Sequence, residues 1–111
     1  MPKNIPLSQT ISITAIASVS PLGNESDTIW TNYQNPNTCF QTRFLDHKDT
    51  LVAPLDADSK EQIDALRQSD SKYKFLDNSV LYAMLASRKA IAKAGWTTND
   101  IFGINVGSSR G

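Results

Sequence analysis

Cys39 and His47 are the one thiol and the one imidazole of the chain, so a Cys–His nucleophile pair is the first chemistry to test. Such a pair needs the sulfur presented beside its base in an activating environment. Both residues fall within 37–58, a stretch without hydrophobic periodicity that contains Pro54 and several Asp and Thr. It reads as an irregular surface connection, with 51–53 as a brief extended piece. No strand-to-helix turn presents the sulfur there, and Cys39 is therefore expected to be structural or incidental. One Cys and one His also fall short of a tetrahedral metal site, so no metal and no other cofactor is expected.

The second chemical candidate is Gly107-Ser108-Ser109-Arg110-Gly111, a glycine-rich turn after an apolar run. Backbone N–H groups in such a turn can cradle phosphate. The spacing matches neither G-x-x-x-x-G-K-[ST] nor a G-x-G-x-x-G that opens a helix, so a chain-reversing turn is the better reading. Asn105, just before it, must be hydrogen-bonded if it is buried, because an unpaired buried amide costs roughly 1–3 kcal/mol. Trp30, Tyr33, Trp96 and Phe102 read as core or subcore aromatics, without the basic interleaving of a stacking platform.

These residues must be carried by regular elements, and the pattern predicts two strands with helices between them. Residues 11–19 alternate: Ile11, Ile13, Ala15, Ala17 and Val19 share one face, and Ser12, Thr14, Ile16 and Ser18 share the other. Pro21 and Gly23 should end that strand in a tight turn. Asn24 is the expected N-cap of a short helix bearing Ile29, Trp30 and Tyr33, which Pro36 terminates. Ser59 with Gln62 matches a capping box ahead of Ile63 and Leu66. A long helix is predicted over 71–94, carrying Leu76, Val80, Ala83, Ala86, Ala90 and Ala94 on one stripe and stopped by Gly95. Phe102, Ile104 and Val106 then share one face of a second strand. Strand, helices, strand is a βαβ unit with a parallel pairing and a right-handed crossover. Two strands make a poor sheet alone, and the pattern looks like the start of a larger α/β fold.

Composition narrows the function classes. The 111 residues suit one domain, and 40% hydrophobic content suits a soluble globular class. Eleven basic residues balance eleven acidic ones in scattered order, which excludes the basic footprint of a nucleic-acid binder. A single cysteine fits a reducing compartment. No stretch approaches the ~20 apolar residues of a membrane span, and no signal-peptide core follows Met1. A cytoplasmic protein is expected.

The order of the motifs resembles the amino-terminal stretch of the β-ketoacyl synthases, the condensing enzymes of fatty acid and polyketide assembly. Ile13-Thr14-Ala15-Ile16-Ala17-Ser18-Val19-Ser20-Pro21-Leu22-Gly23 is similar to that family's V-x-I-T-G-x-G-x-V-S-P-L-G strand and turn, with Ala15 and Ala17 in place of two glycines. Trp30 corresponds to the tryptophan of its first helix. Ala90-Ile91-Ala92-Lys93-Ala94-Gly95 resembles its A-x-x-A-L-x-x-A-G stretch, and Gly103-Ile104-Asn105-Val106-Gly107-Ser108 its G-V-x-V-G-S strand.

The resemblance implies that 1–111 is a single partial domain, the βαβ portion of a thiolase-like fold. It implies decarboxylative Claisen condensation as the family reaction, with acyl carrier protein and a second synthase subunit as partners. The family's acylated cysteine and two histidines would lie downstream of Gly111, so no catalytic residue is assigned and the segment alone is expected to be inactive. Ser109 and Arg110 are the substrate-pocket candidates. They stand where the family's G-S-G-I-G turn carries a glycine and a pocket-lining isoleucine. A guanidinium suits an alkyl tunnel poorly unless paired, which implies a shortened or polar pocket, or a carboxylate partner for Arg110. Two other readings stay open: a non-catalytic chain-length or initiation partner in a synthase heterodimer, and a standalone α/β interaction domain.

Overall fold

A computed structural model describes residues 8–109. The elements run α1 (Ser26–Gln34), β1 (Gln41–Leu45), β2 (Lys48–Val52), α2 (Ala57–Ser69), a 3-10 turn (Ser71–Tyr73) and α3 (Asn78–Ala94), a mixed α/β set. The centre is a helix pair. Ile63 and Leu66 of α2 meet Leu81 of α3, all three buried, with Leu55, Tyr73, Leu76, Tyr82, Met84 and Leu85 packed around them. Each of the three buried side chains contributes roughly 1.5–3 kcal/mol by leaving water.

The ends of α3 follow from its sequence. Asp77 accepts from the Ser79 N–H at 3.0 Å and caps the start. Gly95 adopts φ 73°, and the N–H groups of Gly95 and Trp96 close onto the carbonyls of Ala92 and Ile91, a left-handed stop suited to glycine. The single helix expected over 71–94 is broken before Asp77. Asp70 caps the separate 3-10 turn by accepting from the Lys72 N–H at 2.8 Å. The guanidinium of Arg67 donates to the carbonyls of Lys74 and Leu76 at 3.1 and 2.7 Å, which satisfies backbone groups that the break leaves open. Two aspartates competing for backbone N–H groups explain the interruption.

The stretch 37–58, expected to be irregular, contains the only sheet among the described residues. β1 and β2 pair antiparallel, from Gln41 opposite Val52 to Leu45 opposite Lys48. Asp46 and His47 form the two-residue loop with φ 49° and 65°, the positive values a type I′ hairpin turn requires at both positions. Among the described residues no other element packs on this hairpin, and Phe44 and Leu51 stand 70% and 67% exposed.

The parallel βαβ pairing is corrected. Residues 11–19 and 102–106 join no sheet, and the apolar side chains patterned for burial face solvent: Ile11 is 75% exposed, Ile13 85%, Ile104 81% and Val106 77%. A strand is stable only with a hydrogen-bonded neighbour and a covered face, and no described residue supplies either. The alternation itself survives in part, since Ala15, Ala17 and Val19 are half-buried while Thr14, Ile16 and Ser18 are exposed. The radius of gyration, 18.0 Å, exceeds the ~13 Å of a compact domain of this length.

Candidate functional site

The turn after residues 11–19 is built by Ser20 and Gly23. The Ser20 N–H donates to the Gly23 carbonyl at 3.1 Å, and the Gly23 N–H returns to the Ser20 carbonyl at 2.9 Å. Gly23 has φ 124°, and a Cβ there would meet Thr28 Cγ2 at 3.0 Å, so the position requires glycine on two counts. Asn32 of α1 donates to the Leu22 carbonyl at 2.8 Å and holds the helix against the turn.

Asn24 does not cap α1, whose N-cap is Glu25 with no side-chain hydrogen bond. It is 2% exposed and reaches across to α2. Its amide N–H groups donate to Ser59 Oγ at 2.8 Å and Asp58 Oδ2 at 2.9 Å, and its Oδ1 accepts from Gln62 at 3.1 Å. Ser59 is fully buried in the first turn of α2 and does not cap it. Asp56 occupies the N-cap position, with no side-chain cap bond. Burial requires a polar group to find a partner, and for Asn24 and Ser59 the partners lie more than thirty residues apart. No local spacing signals that pairing.

Glu25 is ion-paired with Lys89 of α3. The Lys89 hydrogen bond and charge hold its carboxyl below the ordinary value, with Lys93 adding in the same direction. Lys93 also donates to Ser26 Oγ at 3.5 Å. α1 thus reaches α3 through long side chains, without packing of the two helices.

Two clefts result. One, of about 370 Å³, lies between Ile16, Ala17, the α1 residues Ile29, Trp30 and Tyr33, and Lys93. The other, of about 590 Å³, lies between α3 and the terminal run, where Val80, Ala83 and Met84 face Val106 and Gly107, and Arg88 stands at the border. This second cleft adjoins the expected substrate turn. Ser109 is exposed beside it, and Arg110 and Gly111 lie outside the described residues. Arg88 donates to Tyr73 Oη at 3.3 Å, its guanidinium 5.8 Å from the ring centre. Apolar walls with hydroxyl and guanidinium groups at the rim suit binding of an amphipathic chain.

Cys39 is half-buried at the base of the hairpin and His47 lies at its tip. At ~3.3 Å of rise per residue they stand on the order of 20 Å apart, too far for a Cys–His pair. Among the described residues no group of three or more His, Cys, Asp or Glu side chains is placed to hold a metal ion. Asn105 is exposed and meets solvent. The aromatics form surface pairs, not a core. Trp30 and Tyr33 stack at 5.9 Å, and Trp96 and Phe102 meet at 4.9 Å with a 32° tilt.

Comparison of the chain with protein-family models, curated proteins and solved structures found no match. No helix among the described residues is long and apolar enough to cross a membrane.

Proposed function

We propose that the chain is the amino-terminal segment of a β-ketoacyl–acyl carrier protein synthase, inactive alone, whose strands find their neighbours in the rest of a thiolase-like fold. One observation carries the reading. Both runs patterned as buried strands, 11–19 and 102–106, lie outside any sheet with their large apolar side chains in water. A segment that folds by pairing with further strands has this character, and an independent domain does not. The motifs that resemble the condensing enzymes overlap those same runs, and the long helix between them ends at Gly95, the glycine of the similar A-x-x-A-L-x-x-A-G stretch.

On this reading the parent is cytoplasmic and acts with acyl carrier protein and a second synthase subunit. Ser109 and Arg110 border its substrate, and the cleft along α3 is the beginning of the pocket. Antibodies against the 41–52 hairpin would recover the native polypeptide from its source for intact mass and for condensation of acyl- and malonyl-carrier protein. A mass well above 12.2 kDa with condensation activity is expected. A 12.2 kDa monomer that unfolds cooperatively, without activity in the recovered material, would overturn the proposal.

A further inference from the structure

The cleft against α1 is separate from the substrate turn, and although its Ile16 and Ala17 belong to the run that the reading above pairs with further strands, that reading assigns the cleft no ligand. Its volume, about 370 Å³, lies within the ~300–1,000 Å³ of small-molecule sites. It exists because α1 stands off from α3: long side chains bridge the helices and leave the space between Ile16, Ala17 and Ile29 unfilled.

Two features of the wall set the ligand class. Trp30 and Tyr33, one turn apart on α1, stack within 15° of parallel and are 61% and 70% exposed, so a broad aromatic surface remains in water at the mouth. Planar rings add to such a surface by offset stacking. One cation lines the cleft. Lys93 meets the neutral hydroxyl of Ser26 there, while Lys89 holds Glu25 and Asp58 is hydrogen-bonded to Asn24 of the cleft wall and to Gln62. An apolar cleft with an aromatic wall and a lysine hydrogen-bonded to a neutral hydroxyl complements a flat apolar body bearing a single negative charge.

We infer that this cleft binds a small planar aromatic anion, with its ring on the Trp30–Tyr33 wall and its charge on Lys93. The two tryptophans supply an internal control, because Trp96 packs on Phe102 and does not line the cleft. Titration of the full chain with 2-naphthoate, followed by NMR of the indole N–H groups, should move the Trp30 signal saturably and leave Trp96 in place. The uncharged 2-naphthamide should bind about tenfold more weakly. Lys93→Gln should remove that difference, and Lys93→Arg should keep it. Decanoate, with the charge but no ring, should also bind more weakly than naphthoate. Absence of saturation, equal binding of acid and amide, equal binding of decanoate, or an unchanged preference in Lys93→Gln would each overturn the assignment.

Discussion

Asn24→Ala should release α1 and its turn from the helix pair without unfolding the pair. The substitution removes the bonds to Ser59, Asp58 and Gln62, all made at 2.8–3.1 Å. Asp58 and Gln62 keep each other at 2.8 Å and reach solvent, so their loss is small. Ser59 is fully buried and loses the donor to its hydroxyl oxygen, a penalty of about 1–3 kcal/mol. A net cost of about 2 kcal/mol corresponds to a factor of roughly 30 in the opening equilibrium. Because α1 does not pack on α2 or α3, that cost should fall on local opening. Native-state amide hydrogen exchange reads both parts at once. Protection in Ser26–Gln34 should fall about 30-fold while the amides around Leu81 keep theirs. Ser59→Ala in the Asn24→Ala background should add less than it does alone, by at least ~0.5 kcal/mol. Equal loss of protection in α1 and α3, or no loss in either, would refute the view of Asn24 as a pin between two separately stable parts.

Leu81→Ala acts on the other part. With Leu81 fully buried between Ile63 and Leu66, it should cost about 2–5 kcal/mol and lower α2 and α3 stability together in chemical denaturation. The Glu25–Lys89 pair predicts a small pH effect. The folded carboxyl titrates below its unfolded value, so the stabilisation is full above the ordinary carboxylate range and is lost as pH falls through the lower, folded value. Lys89→Gln should therefore cost less than about 1 kcal/mol at pH 7, and its melting curve should merge with wild type in acid. On the proposed condensing-enzyme reading, Arg110→Ile in the longer protein should shift condensation toward longer acyl chains, and an unchanged chain-length profile would sink the polar-pocket reading.

The legible parts of the fold were those whose causes are local. The stop at Gly95, the turn at Ser20–Gly23 and the end of α1 before Pro36 each depend on a few neighbouring residues, and they stand as read. The hairpin was hidden because its loop uses Asp46 and His47, not the glycine pairs that mark positive φ. The break before Asp77 was hidden because the hydrophobic stripe runs through it while two aspartates take the backbone N–H groups. Asn24 and Ser59 look like caps to any local rule, yet each bonds across the fold. The strand pattern of 11–19 and 102–106 predicts a sheet, although such a pattern encodes only the capacity to pair.

The open arrangement of the chain also governs how it travels. A 12.2 kDa polypeptide with a radius of gyration of 18.0 Å and extents of 56 × 39 × 31 Å drags more water than a sphere of equal mass. It should elute early from a sizing column and sediment slowly. A peak at the position of a compact dimer is then the signature of one elongated molecule, and light scattering, which weighs particles without regard to their outline, is the proper count of its copies.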